Sequence, residues 1–159
     1  GRVVGPLLAS MLAEPFFAAA PPKSTGRDLF NATWLSKHLQ ASPTQPLRPE
    51  DVQATLAELT ARSCADAVRR HAGAARELLV CGGGALNLEL MRRIADQLPK
   101  MAVDTTERRG LPPMQVEGAA FAWLARAFVE RRPGNLGAVT GARGARVLGA
   151  LFPSGTTEG

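Results

Sequence analysis

Three consecutive glycines, Gly82, Gly83 and Gly84, stand between a short apolar run and an amphipathic segment in the stretch VCGGGALNLELM, residues 80–91. Glycine has no Cβ atom, so it lets the backbone turn sharply and lets another group come close to it. A strand-to-helix turn of this kind can bring a phosphate to a helix N-terminus, where free N–H groups and the helix dipole favour an anion. This stretch is therefore the first candidate for chemistry in the chain.

Three interpretations of these glycines remain open at the level of the residues. The first is a tight strand-to-helix turn in which glycine only relieves backbone strain. The second is a dinucleotide site, as in a Rossmann-type NAD-dependent oxidoreductase, because Asp104 follows about 20 residues later, as in the Rossmann fingerprint, although the third glycine of that fingerprint falls at Asn87. The third is a nucleotide cleft of the sugar-kinase, chaperone and actin type, in which the nucleotide lies against bare backbone. The sequence has no GxxxxGKS or GxxxxGKT stretch, which excludes a P-loop.

The segments around the glycines predict an α/β protein. Residues 77–81 (ELLVC) are too short for a helix and suit a buried strand, and residues 101–104 predict a second strand. A proline and two acids at 49–51 begin an amphipathic helix that runs toward His71 and stops at Gly73. Two strands make a poor sheet, so we expect an incomplete one. Further helices are predicted at residues 7–12, 28–40, 86–98 and 116–128, and a helix turn or edge strand at 147–152.

The chain has 159 residues and a net charge of +5, so nucleic acid has to be considered as a partner. Its arginines come as scattered pairs without interleaved aromatic residues, which indicates a solvated surface and no nucleic-acid site. No stretch approaches the roughly 20 apolar residues of a membrane span, so no membrane partner is expected. Two cysteines provide neither a disulfide framework nor a metal site, which fits a cytoplasmic protein, and Cys81 is expected to be a small buried hydrophobic residue. The arginine pairs are Arg69-Arg70, Arg92-Arg93, Arg108-Arg109 and Arg131-Arg132.

Five stretches, in order along the chain, together resemble the anhydro-N-acetylmuramic acid kinase family. They are PPKSTGRDLFN at 21–31, PEDVQATLAELTA at 49–61, CGGGALNLELM at 81–91, the run from DTT to AFAWLA at 104–125, and PGNLGAVTGA at 133–142. Any one of these motifs is weak evidence by itself, but their combination in this order is highly specific. The resemblance covers nearly the whole chain, from about residue 5 to residue 152.

The resemblance implies the C-terminal part of an actin-like (ribonuclease H-like) ATPase domain, with an incomplete sheet flanked by helices. It also implies that ATP, with Mg²⁺, and water convert 1,6-anhydro-N-acetylmuramic acid to N-acetylmuramic acid 6-phosphate during peptidoglycan recycling in the bacterial cytoplasm. On this basis residues 1–48 form a helical segment with the PPKSTGR motif, and residues 49–159 form a nucleotide-side subdomain. The N-terminal domain is expected to be missing from this chain, and a homodimer is one candidate assembly.

Carried onto this sequence, the resemblance assigns Gly82, Gly83, Gly84 and Ala85 to the nucleotide-side turn of the kinase. Asn87, at the start of the following helix, has two alternative roles. It positions a ribose or phosphate, or it caps the helix.

Glu117 matches the glutamate of the family's VEA motif and is implied to contact the sugar. An acid in a first helical turn is, however, also favoured by the helix dipole.

The PPKSTGR motif adds Lys23, Ser24, Thr25 and Arg27 as candidate site residues. The two cations of this motif would meet phosphates, or they would pair with carboxylates and fix the loop.

The sequence departs from the family's pattern at Met114, where PPD is usual, and at Gly118, where VEA is usual. The first change removes a candidate helix N-cap and the second weakens the helix, and each lowers stability by about 1 kcal/mol.

The family's ATP-phosphate motif and its general-base aspartate precede the matched region. No catalytic residue is therefore assigned here, and the chain alone is expected to be inactive. The remaining expectations are structural: Asn135 and Thr140 in turns, and Trp34 and Trp123 in the core.

Overall fold

The computed structural model describes residues 1–44 and 46–152 and divides the chain into two compact units, with the boundary after Val116. The mixed α/β class predicted from the sequence is confirmed, whereas the proposed boundary after residue 48 stays a prediction. Unit 1 contains α1 (Gly5–Leu12), α2 (Pro15–Ala18), α3 (Ala32–Ala41), α4 (Pro49–His71), β1 (Glu77–Val80), α5 (Leu88–Gln97) and β2 (Ala102–Thr105). Single 3₁₀ turns lie at Gly83–Leu86, Thr106–Arg109 and Pro113–Gln115, and unit 2 contains α6 (Val116–Val129, its first residue in unit 1) and α7 (Gly137–Thr140).

The two strands form a small parallel sheet in which Glu77 pairs with Ala102 and Val80 with Thr105. Helix α5 connects them, which makes a βαβ unit. Both strands therefore end at the same edge, and the three glycines follow β1 directly at that edge. Parallel sheets place ligands at this carboxyl edge, so the fold puts the glycines where a ligand is expected.

Helices α4 and α5 hold this sheet through a close apolar contact. Ala61 and Ala65 of α4 are completely buried, and Ile94 of α5 and Leu98 directly after it are nearly so. Small residues on α4 let the larger side chains of α5 approach its backbone. Leu78 and Val103 of the strands pack against the same cluster, so one face of the sheet is covered by α5 and α4.

A second cluster joins the N-terminal half of α4 to α1. Leu7, Leu8 and Met11 of α1 are buried against Leu59 of α4. Thr55 fixes this contact, because its hydroxyl donates to Asp51 O (2.7 Å) and accepts from Val4 N (3.0 Å). Helix α4 therefore runs through both clusters of unit 1 and joins them.

Glu58 lies on α4 between the two clusters and is 7% exposed. Its carboxylate accepts hydrogen bonds from Arg62 (2.8 Å), Arg93 (2.7 Å) and Gln97 (3.0 Å). Burial raises the pKa of Glu58, but the hydrogen bonds from Arg62 and Arg93 outweigh it, so the pKa lies below the ordinary value of 4.5. This network fixes the register of α5 on α4.

The helix predicted from residue 49 is confirmed as α4, whereas the one predicted at 28–40 begins only at Ala32. Asn31 ends the preceding turn and accepts from Trp34 N (2.9 Å), which makes it the N-cap. The strand predicted at 77–81 ends at Val80, so the expectation of a buried Cys81 is wrong and this side chain is exposed. The helix turn or edge strand expected at 147–152 is also wrong, because these residues form neither.

Trp123 of α6 is 51% exposed, so its expected place in the core is also wrong. The apolar periodicity of α6 correctly predicted the helix, but within the described part of unit 2 only Ala127 of α6 is buried. Trp34 is half-buried within an aromatic cluster, which is closer to the core position that the sequence predicted for it.

Among the described residues, no helix has the length and apolar character needed to cross a membrane.

Replacing Glu58 tests the network between α4 and α5. We expect Glu58→Ala to lower the free energy of unfolding by about 3 kcal/mol, because it leaves Arg93 mostly buried without its shortest partner. The matched control is Asp96→Ala, which breaks an exposed ion pair with Arg92 and should change stability much less. Urea denaturation measures both variants, and equal losses would contradict the role given to Glu58.

The same network predicts acid sensitivity. Because the folded-state pKa of Glu58 lies below its ordinary value of 4.5, its contribution is complete above about pH 4.5 and is lost as the pH falls through the folded-state pKa. The difference in stability between the wild-type chain and Glu58→Ala should therefore shrink below that pH. A difference that is constant from pH 7 to pH 3 would show that the charge does not matter.

Candidate functional site

The three glycines form a turn whose backbone is fixed by hydrogen bonds. Gly82 has φ +75° and ψ −174°, a conformation that favours glycine, and its N–H donates to Pro113 O (2.9 Å). Ala85 N then donates to Gly82 O (3.1 Å) and Asn87 N to Gly84 O (3.1 Å). The turn is therefore tied to the segment that precedes α6. This contact could not be predicted from residue types, because it is made by backbone atoms.

Only the first glycine is required by the backbone conformation. Gly83 and Gly84 do not have positive φ angles. A Cβ atom on Gly83 would meet no atom within 4 Å, and one on Gly84 would make an ordinary contact with Leu90 (3.6 Å). The described residues therefore give no reason for glycine at position 83, and the backbone there faces open space. Ala85, by contrast, is buried, so its methyl group serves packing.

Asn87 caps helix α5. Its Oδ1 accepts from Leu90 N (3.0 Å), which satisfies one of the free N–H groups of the first turn. The side chain is exposed, and its Nδ2 makes no hydrogen bond within the described residues. The capping role expected from the sequence is thus confirmed, and the ribose or phosphate role stays a prediction.

An acid in the first turn of α5 has its charge compensated locally. Hydrogen bonds from Arg92, together with the charges of Arg92 and Arg93, lower the pKa of Glu89 to about 2, although desolvation opposes them. Glu89 is therefore ionised at neutral pH but held by two guanidinium groups (2.8 Å each). This pairing reduces the repulsion that Glu89 would exert on a phosphate at this helix end.

The end of β2 carries one acid, Asp104, that is occupied by local contacts. Asp104 accepts from Thr105 N (2.7 Å) and pairs weakly with Arg108 (3.4 Å). Thr106, directly after β2, has a buried hydroxyl without a hydrogen-bond partner in the described structure, a feature that sequence reasoning missed. Among the residues that the structure describes, no group of three or more His, Cys, Asp or Glu side chains is placed to hold a metal ion.

The cations of the PPKSTGR motif have different surroundings. Lys23 Nζ donates to Phe16 O (2.7 Å) and Phe17 O (3.1 Å) and lies 4.7 Å from the centre of the Phe16 ring. Lys23 thus holds the end of α2. Arg27 is exposed and has no hydrogen bond or ion pair within residues 1–44 and 46–152. Ser24 and Thr25 are also exposed.

Glu117 lies in the first turn of α6 and is exposed, without a hydrogen bond or ion pair to the described residues. Met114, three residues earlier, is 62% exposed, and its thioether has no oxygen that could cap a helix. In unit 2, Asn135 accepts from Arg146 N (2.6 Å) and donates to Gly144 O (3.0 Å), so it joins two segments and does not lie in the turn expected for it. Thr140 bonds within its turn, to Leu136 O (3.0 Å).

These features define an α/β protein in which a glycine-rich turn follows the first strand of a parallel βαβ unit, the position at which nucleotide-binding folds hold their ligands. Residues 1–154 match the family described as anhydro-N-acetylmuramic acid kinase. The chain belongs to that family. This assignment replaces the Rossmann-type oxidoreductase that the spacing of Gly82 and Asp104 had left open.

Curated relatives agree with the family. The chain is 58% identical to an anhydro-N-acetylmuramic acid kinase of Cupriavidus pinatubonensis over 96% of its own length, and 55% identical to that of Variovorax paradoxus over 97%. It is 56% identical to that of Ralstonia nicotianae over 97% of its length. The chain spans only 41%, 40% and 40%, respectively, of these three relatives.

The two roles of Asn87 can be separated by substitution. We expect Asn87→Ala to lower the free energy of unfolding by about 1 kcal/mol because the cap is lost, whereas Asn87→Ser should retain most of the stability. Thermal or urea unfolding measures this effect. If both variants lose the same stability, the cap contributes little; if Asn87→Ser is stable but binds ATP more weakly, Asn87 also contacts the ligand.

Proposed function

We propose that this chain forms the nucleotide-binding side of an anhydro-N-acetylmuramic acid kinase. The observation that carries the proposal is the open space at Gly83, where the fold itself does not require glycine. A nucleotide that lies against this backbone would account for the missing side chain, and the N-terminus of α5 would favour its phosphates. The parent protein is proposed to have the actin-like fold, with its cleft completed by residues outside this chain.

The proposed reaction uses ATP and water to convert 1,6-anhydro-N-acetylmuramic acid to N-acetylmuramic acid 6-phosphate. Water opens the anhydro ring as oxygen 6 takes the γ-phosphoryl group, and ADP leaves. The proposed setting is the recycling of peptidoglycan in the bacterial cytoplasm. Phosphoryl transfer depends mainly on positioning and on stabilisation of charge, for which kinases use Mg²⁺. No residue of this chain is assigned to that metal.

The residues of this chain have positioning roles in the proposal. The backbone of Gly82, Gly83, Gly84 and Ala85 forms the surface against which the nucleotide lies, and Asn87 holds the adjacent helix end. Glu117 is proposed to contact the sugar, since its exposed carboxylate has no partner among the described residues. The general base is proposed to lie outside this chain.

A side chain at Gly83 should block the nucleotide without harming the fold. We expect Gly83→Val, made in a chain extended upstream through its natural gene, to raise the Kd for ATP about tenfold or more, equivalent to about 1.4 kcal/mol. The matched control is Gly5→Val, because a Cβ on Gly5 also meets no atom within 4 Å and its φ is not positive. Isothermal titration measures both affinities. An unchanged affinity in Gly83→Val would leave the glycines as a turn without a ligand.

The activity itself is tested by ADP release with Mg-ATP and the anhydro sugar, for the 159-residue chain and for the extended chain. We expect turnover only in the extended chain, because the present residues supply one side of the cleft. Turnover by the 159 residues alone would contradict the proposed division of roles. If the extended chain is folded but releases no ADP, the result would favour a non-catalytic module that binds nucleotide or a partner.

A further inference from the structure

The arginine of the PPKSTGR motif lines a cavity that the nucleotide proposal does not use. This cavity lies in unit 1, between the loop before α3, helix α3 and helix α4, and has a volume of about 460 Å³. Its walls include Phe30, Trp34, Leu35 and Leu56, and Arg27 lies at its edge. A volume of this size is within the range of small-molecule sites.

The aromatic wall of the cavity is held in place by its neighbours. Phe30 stacks on Phe17 (5.5 Å between ring centres) and meets Trp34 edge to face (5.1 Å). The indole N–H of Trp34 donates to Glu14 Oε2 (2.9 Å), which fixes the orientation of the ring. The cavity therefore offers a preformed apolar wall, which lowers the entropic cost of binding.

The charge of the cavity has one sign. No acidic residue lines it, and the guanidinium of Arg27 makes no ion pair or hydrogen bond with the residues that the structure describes. Asp28 is the adjacent residue in sequence, but it does not line the cavity and makes no ion pair with Arg27. A guanidinium with free donors beside an aromatic wall suits a carboxylate carried on an apolar or sugar body.

We propose that Arg27 and the wall formed by Phe30 and Trp34 bind the carboxylate-bearing side of the sugar substrate. The inference rests on the proposed function, because the substrate named for the relatives is a muramic acid and so carries a carboxyl group. Arg27 binds the carboxylate, and the aromatic wall packs against the apolar face of the sugar. Lys23 of the same motif takes no part, because it is used at the end of α2.

The test compares the sugar acid with its carboxamide as substrates of the extended chain. We expect the wild-type chain to have a KM for the acid about tenfold lower than for the amide, because a charged hydrogen bond is lost with the amide. Arg27→Ala should raise KM for the acid about tenfold and leave KM for the amide unchanged, so that the preference disappears. Arg27→Lys should restore part of the preference, since it restores the charge.

The matched control is Lys37→Ala, which removes one exposed positive charge from α3 at a position that does not line the cavity. It should leave the preference for the acid intact. If Arg27→Ala and Lys37→Ala have equal effects, or if Arg27→Ala changes acid and amide alike, the inference is overturned and Arg27 serves only the structure or the net charge.

A direct binding measurement separates this inference from the proposed activity. Trp123→Phe, with the same replacement of any tryptophan upstream of residue 1, leaves Trp34 as the single tryptophan, so the fluorescence of the extended chain then reports on the cavity wall. We expect the sugar acid to change this fluorescence and Arg27→Ala to abolish the change at the same concentration. If the sugar is phosphorylated but the fluorescence of Trp34 does not change, the proposed Arg27 site is wrong and the proposed kinase activity stands. If the fluorescence changes but no ADP is released, the Arg27 site stands and the proposed kinase activity is wrong.

Discussion

The arrangement of unit 1 depends on the contact between α4 and α5. Two completely buried alanines on α4 let α5 approach closely, and Glu58 then sets the register through Arg93 and Gln97. Because α5 is the crossover between the two parallel strands, its position decides where the sheet lies. The glycine turn directly precedes α5, so the contact between α4 and α5 also determines the position of the turn. A shift of α5 along α4 would displace the turn from its hydrogen bond with Pro113.

The buried carboxylate of Glu58 is stable as an anion because Arg62 of α4 and Arg93 of α5 both donate hydrogen bonds to it. A carboxylate buried without partners would be costly and would become protonated. Arg62, four residues along α4, would hold the charge without α5, but Arg93 is what joins the two helices. The ion pair therefore contributes specificity of packing: apolar alanines tolerate several registers, whereas the carboxylate accepts one. The site depends on that choice, because its walls are backbone atoms whose position no side-chain adjustment can correct.

The sequence predicted the elements well where local signals were strong. The proline and acids at 49–51 located the start of α4, and the periodicity from Val116 located α6. The cap at Asn87 was one of two expected roles, and its geometry follows from its position before an apolar repeat. The exposure of Cys81 and Trp123 could not be predicted, because periodicity shows which face is apolar but not what covers it. The bond from Gly82 to Pro113 and the unpartnered hydroxyl of Thr106 have no signal in residue types, since they follow from tertiary placement.

The two cations of the PPKSTGR motif have different contacts, and these contacts decide which role each cation can have. Lys23 and Arg27 are four residues apart and have the same charge, yet Lys23 satisfies two carbonyl groups at the end of α2 and Arg27 satisfies none. Ordering a long side chain costs conformational entropy. For Lys23, two hydrogen bonds and the contact with the Phe16 ring offset this cost within the chain. Arg27 has no such compensation and stands beside a rigid apolar wall. The lysine therefore belongs to the fold, and the arginine is the cation of this motif that has no partner among the described residues.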